Sequence, residues 1–129
     1  MLEIRGKLPP TVNHMYVNRI VGYGKKAKIQ RFKTAIATNF IKYLNNEAKK
    51  YFKQCITVDK DVILYYTLYC DKKGRMDLDN TFKAIQDSLE GVAFENDKQI
   101  TEIHAKKVKF AGFNGFDLEV KTKPLENKK

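Results

Sequence analysis

Six of the fifteen acidic residues of this chain fall between Asp77 and Asp97: Asp77, Asp79, Asp87, Glu90, Glu95 and Asp97. Only Lys83 opposes them, so the stretch carries a net −5, while the rest of a chain of formal charge +10 carries +15. A basic protein attracts a polyanion that such an acidic island would repel unless an ion reconciles the two. A hard divalent cation does so, because Mg²⁺ and Mn²⁺ prefer carboxylate oxygens and bridge an enzyme to a phosphodiester.

The spacing makes the chemistry more specific. Asp77 and Asp79 flank Leu78 where a strand is expected to give way to a helix, so their carboxylates can converge near the helix N-terminus while Leu78 points inward. Asp79, Lys83 and Asp87 then follow at i, i+4 and i+8, on one helical face and away from the stripe of Phe82, Ile85 and Leu89. Phosphodiester hydrolysis needs a water activated at neutral pH and a partner for the charge developing on the phosphate. A metal held by two or three carboxylates supplies the first and the Lys83 ammonium the second. Asp97, in the segment FENDKQI, is the candidate third carboxylate, through a tertiary contact that periodicity does not show.

Blander roles exist for each residue. Asp79 can be an N-cap, Lys83 half of an i, i+4 salt bridge with Asp79 or Asp87, and Asp97 a turn residue. An EF-hand is excluded because its sixth position would be Phe82 and its twelfth Ser88, where glycine and glutamate are required. RMDLDN has the look of a kinase catalytic loop, but the chain has no glycine-rich phosphate loop and is too short for that fold.

The elements that must position these residues are an α/β (α+β) arrangement in one small domain, as suits 129 residues. The order reads β, loop, α, β, α, β, β, with a mixed sheet packed by two helices. Leu2 to Lys7 alternates as a strand that Pro9 and Pro10 stop. From Thr11 to Lys28, Gly22 and Gly24 among Arg19, Lys25, Lys26 and Lys28 predict a basic, mobile loop able to wrap a phosphate backbone. Apolar residues at Phe32, Ile36, Phe40, Tyr43, Leu44, Ala48, Tyr51 and Phe52 predict a helix over about 30–54. DVILYYTLYC, 61–70, reads as a central strand covered on both faces, with Tyr65, Tyr66 and Tyr69 in the core rather than stacking on bases. A polar turn, 71–75, leads to a helix over about 78–90 that Gly91 ends. Strands near 99–110 and 116–121 are joined by the turn Gly112 to Gly115, and the tail from Pro124 is expected to fray.

The charge balance favours nucleic acid, because each neutralised phosphate releases a condensed counterion, although a basic pI can also serve only solubility. Lys72, Lys73 and Arg75, just before the acidic island, are candidate phosphate contacts beside those of the first loop, or a solvated polar turn. Cys55 and Cys70 lie in no CxxC and near no histidine cluster, so neither a zinc site nor a disulfide is expected. His14 and His104 have no partner at readable spacing and are expected to be structural or at the surface. MLEIRGKLPP lacks the apolar region of a signal peptide and no window suits a membrane helix, so the expected place is the cytoplasm and no membrane partner is expected.

The string GRMDLDNTFKAIQDSLEGVAFENDKQI resembles the signature of the RusA family of Holliday junction resolvases: D-x-D-N, a lysine four residues after the second aspartate, and a later aspartate before x-Q. LPPTVNHMY is similar to that family's Pro-Pro, Asn and Tyr segment, so the resemblance spans most of the chain, 1–129, as a single endonuclease domain. It implies metal-binding carboxylates at Asp77, Asp79 and Asp97 and an essential lysine at Lys83. It implies a homodimer with Mg²⁺ or Mn²⁺ in each subunit that nicks opposing strands of a four-way DNA junction in recombination and repair. Met76 and Asn96 depart from the family, which often has a basic residue at the first position and an acidic one at the second. The alternatives are a non-catalytic DNA-binding or regulatory module, in which the carboxylates only cap and solvate, and a nuclease for other branched DNA.

Overall fold

The computed structural model describes residues 1–74 and 76–124. Among the described residues, six strands and two α-helices follow in the order β1 (Leu2–Arg5), β2 (Tyr16–Val21), β3 (Lys28–Lys33), α1 (Ala35–Tyr51), β4 (Lys60–Tyr69), α2 (Phe82–Leu89), β5 (Ile100–Val108) and β6 (Gly115–Pro124). Four strands form a mixed sheet in the order β1-β6-β4-β5, in which only the β4–β5 pair is parallel. α2 makes the crossover between those parallel strands, which adjacent parallel strands require. The acidic island therefore lies along a crossover, between the end of one central strand and the start of its neighbour.

β4 is central, and its alternation sorts the two faces. Val62, Leu64, Tyr66, Leu68 and Cys70 are buried against both helices, which contribute Ala37, Phe40, Leu44, Ala48, Ala84, Ile85 and Leu89 to the same core. The other parity, Ile63, Tyr65, Thr67 and Tyr69, is half-buried, which corrects the expectation of a strand covered on both faces. Here side-chain pairs replace a second layer. Tyr65 stacks on His104 with ring centroids 4.8 Å apart, and buried Asp117 accepts from Arg5 at 2.8 Å and from the Tyr69 hydroxyl at 2.8 Å. Aromatic and β-branched residues on both parities describe such a half-covered face as well as a buried one.

Two further boundaries differ from the expectation. The basic stretch after Thr11 is an antiparallel ribbon, β2 paired with β3 from Tyr16↔Lys33 to Val21↔Lys28, and not an irregular loop. Its strands are mostly exposed, so no buried face imposes the alternation that sequence reading depends on. β3 takes residues 28–33, so α1 starts at Ala35, with Thr34 as N-cap accepting from the Ala37 amide at 3.2 Å. Phe32 thus belongs to the ribbon, Ile36 faces solvent, and the buried stripe is Ala37, Phe40, Leu44 and Ala48. Arg75 and the tail beyond Pro124, 125–129, lie outside the described residues.

One buried polar contact ties α2 to the sheet. The Tyr66 and Thr81 hydroxyls lie 2.9 Å apart, and Thr81 donates to the Leu78 carbonyl at 2.7 Å. Tyr66 is therefore the donor to Thr81, and burial pushes its hydroxyl above its ordinary range, keeping the proton in place. Thr81→Val keeps the shape and removes the acceptor. It is expected to cost about 1–3 kcal/mol, the desolvation of an orphaned hydroxyl, read as a lower denaturant midpoint, with Tyr66→Phe in the same background restoring part of it.

Candidate functional site

The segment from Cys70 to Asp79 enters the site under restraint. The Cys70 amide donates to the Val108 carbonyl and the Asp71 amide to the Asn114 side chain at 2.8 Å, both across neighbouring strands. Gly74 takes φ +67, and a Cβ there would stand 2.7 Å from the Cys70 sulfur, so a side chain at this position is strained and displaces Cys70. Lys107 on β5 then donates to the carbonyls of Gly74 at 3.3 Å and Met76 at 2.9 Å. Both contacts fix the approach to Asp77. Neither is legible in the sequence, because one lysine in a strand carries no local signal.

Asp77 and Asp79 are both exposed. Asp77 lines a cleft of about 770 Å³ with Thr11, Asn13, His14, Lys72 and Asn80. Asp79 opens a 3₁₀ turn, Asp79–Thr81, that runs directly into α2, so the helix expected over 78–90 is present with a tightened first turn. The segment Val12–His14 packs against this turn. Asp79 is not an N-cap in side-chain terms, since Leu78 precedes the turn in helical geometry and no side-chain cap is made.

Asp97 is delivered from the other end of the crossover. Asn96 caps the turn Asp97–Gln99, accepting from the Lys98 amide at 2.9 Å, while the Gln99 side chain accepts from the Asn96 amide at 2.8 Å. The Gln99 amide nitrogen faces the carbonyls of Ile56, Thr57 and Lys60, the shortest contact being 2.7 Å to Thr57. The asparagine that departs from the family pattern is thus a cap, and Gln99 anchors the turn to the chain entering β4. Glu95 is spent on structure, accepting from the Val58 amide at 3.1 Å.

Among the described residues, Asp87, Glu90 and Asp97 each place an oxygen within 4.8 Å of the others. All three donors are carboxylates, which suits a hard divalent cation. Of the three aspartates expected to bind the ion, this group contains Asp97, while Asp77 and Asp79 are not in it. The sequence placed Asp87 and Glu90 in the island, Asp87 as a salt-bridge partner of Lys83 and Glu90 without a role, and neither as a metal ligand. Their i, i+3 spacing on one helix was the available signal.

Lys83 sits beside the same group. Its ammonium pairs with Asp87 at 3.1 Å, the i, i+4 bridge that the spacing allowed. The other Asp87 oxygen lies 3.9 Å from Lys33 at the foot of the ribbon. The hydrogen bond to Asp87 raises the Lys83 pKa above its ordinary value against partial desolvation, helped by the fields of Asp87, Tyr16 and Asp97. Lys83 is therefore a fixed cation within the electrostatic reach of Asp97.

The candidate phosphate contacts fall in two places. Lys72 and Lys73 are exposed beside the cleft, and Arg19, Lys25, Lys26 and Lys28 are exposed along the ribbon. Arg75 lies outside the described residues. His14 is exposed and hydrogen-bonds Thr11 at 2.8 Å. Cys70 is buried and Cys55 half-buried, both as free thiols. Among the described residues no helix is long and apolar enough to cross a membrane.

A family model described as Endodeoxyribonuclease RusA matches residues 7–121, from just after the first strand into the last. No curated protein matches the chain. The match covers nearly the whole chain and includes both ends of the crossover. The chain belongs to the RusA family of endodeoxyribonucleases.

Proposed function

We propose that this protein is a Mg²⁺-dependent, structure-selective endonuclease that resolves Holliday junctions by paired, symmetric nicks, acting as a homodimer. Asp97 delivered beside α2, next to a lysine already held as a cation, is the observation that carries the reading. In this proposal Asp77, Asp79 and Asp97, the set that the family resemblance implies, would hold the ion, with Mn²⁺ able to replace Mg²⁺. Such an ion would supply the Lewis acidity that activates a water at neutral pH and offsets phosphate charge. Lys83 would offer its ammonium to the scissile phosphate, oriented by its pairing with Asp87 at 3.1 Å. Lys72, Lys73 and the ribbon cations hold the flanking backbone. A C₂ dimer would present two identical sites to a substrate with near twofold symmetry.

A second ligand set is favoured by the geometry of the carboxylates: Asp87, Glu90 and Asp97. Against it, Asp87 is already paired with Lys83 and flanked by Lys33, and an ion there would compete with two ammonium groups. Both sets share Asp97.

A synthetic four-way junction, a flap and a linear duplex, each labelled on one strand and incubated with and without Mg²⁺, test the function. The expected result is paired nicks in the junction that require metal, with the duplex intact. Equal cutting of flap and junction would replace junction resolution by a broader branched-DNA activity. Tight junction binding without any cleavage would favour a non-catalytic DNA-binding module.

A further inference from the structure

The β2–β3 ribbon ends in an apolar surface that the packing of the domain does not use. Ile20 and Ile29 are cross-strand partners on one face, 76% and 72% exposed, and Tyr23 at the turn is 94% exposed. These side chains sit on a strongly basic element. Residues 16–33 contain Arg19, Lys25, Lys26, Lys28, Arg31 and Lys33 and no carboxylate. An apolar end on a self-association surface would not need six cations around it. Nucleic acid with accessible base faces matches both properties, since phosphates meet the cations and bases meet the apolar end.

The ribbon is built to hold that end in place. The Arg31 guanidinium lies 3.7 Å from the centre of the Tyr16 ring, and Arg19 lies 5.7 Å from that of Phe32 on the opposite face. The turn closes on its own backbone, with the Lys26 amide donating to Tyr23 and the Ala27 amide to Gly24, both at 3.1 Å. Gly22 adopts φ +94, and a Cβ there would stand 2.9 Å from the Lys26 carbonyl oxygen. The foot is tied to the domain by Thr34, whose amide and hydroxyl donate to the carbonyls of Met15 at 2.8 Å and His14 at 2.7 Å. Lys33 at that foot reaches Asp87. A six-residue ribbon extends roughly 20 Å at ~3.3 Å per residue, and a two-stranded ribbon fits a major groove ~12 Å wide.

We infer that the β2–β3 ribbon lies along the DNA with its cations on phosphates, and that Ile20, Ile29 and Tyr23 contact bases whose stacking is interrupted at the branch point. This rests on the proposed junction substrate and adds the element that recognises the branch. Apolar side chains are frequently used in this way where proteins unstack a base step.

The test uses the full chain without added Mg²⁺, a four-way junction and a linear duplex, and 2-aminopurine placed either at the branch point or within an arm. Wild type is expected to raise the fluorescence of the branch-point probe and leave the arm probe unchanged. Ile20→Ser/Ile29→Ser, and separately Tyr23→Ser, are expected to reduce that rise and weaken junction binding about tenfold, as loss of base contacts does. Duplex affinity and the dependence on salt should stay as in wild type, because the phosphate contacts are kept. Variants that match wild type on the junction overturn the inference and leave the proposed function standing. So does a response from the arm probe alone, or a change in sedimenting mass that makes the isoleucine pair a contact between copies. A wild type that shows no preference for the junction over the duplex would overturn the proposed function itself, and this inference with it.

Discussion

Asp97→Asn is expected to slow metal-dependent strand cleavage by about 10³-fold or more, while junction affinity is kept or increased. The magnitude follows from losing a ligand of an ion that supplies several kcal/mol of transition-state stabilisation. The direction of the binding change follows from charge. Asp97 stands among Asp87 and Glu90, so removing one negative charge relieves repulsion within the group and between the group and phosphate. Thermal stability should be unchanged or slightly higher, which separates this outcome from misfolding. Gel-shift affinity beside single-turnover cleavage checks it. The two ligand sets then part: Asp79→Asn reproduces the loss if Asp77 and Asp79 complete the site, and Glu90→Gln reproduces it if Asp87 and Glu90 do. Full cleavage by Asp97→Asn would remove both.

Lys83→Met is expected to lower the single-turnover rate by about 10²–10³-fold with little change in junction affinity, the scale seen when one preorganised donor to a developing oxyanion is lost. Asp87→Asn should cost less, about 10-fold, because it removes the group that orients Lys83 and not the ammonium itself. The pH dependence separates these roles. The hydrogen bond to Asp87 raises the Lys83 pKa, so the ammonium persists to higher pH than that of an isolated lysine. Its contribution is fully present below the ordinary lysine value and lost as pH rises through the raised one. The alkaline limb of the rate profile should therefore move to lower pH in Asp87→Asn. An unchanged alkaline limb would mean that Lys83 serves only as half of a surface pair.

Much of this arrangement was legible in the residue order because the governing interactions are local. The stripe of Ile85 and Leu89 faces the core, the crossover from β4 to β5 carries α2, and Asp79, Lys83 and Asp87 follow at helical spacing. Asp97 was legible as a candidate through its place in FENDKQI. The contacts that deliver it were not, because they run from Gln99 to carbonyls about forty residues earlier in the chain. Glu95 and Asp87 likewise read as members of one acidic island. The fold gives Glu95 to the Val58 amide and Asp87 to two lysines, one of them on the ribbon.

The ribbon was misread for a related reason. Sequence patterns report burial, and Val17, Ile20, Tyr23 and Ile29 are apolar without being buried. Glycines at 22 and 24 then look like a break in structure, although they form the tight end of a paired element. The same exposure that hid the strands in the sequence is what the proposed DNA contact of the ribbon uses. The correction to α1 follows from it, since Phe32 was counted in a helical stripe while it pairs with Val17 in the ribbon.

The central claim is that a divalent ion is held through Asp97 beside Lys83. Calorimetric titration of Mn²⁺ into the full-length protein, with no DNA present, tests it most directly. Saturable binding in wild type that disappears in Asp97→Asn and survives in Glu95→Gln is the predicted result. Equal Mn²⁺ binding by wild type and Asp97→Asn would contradict it.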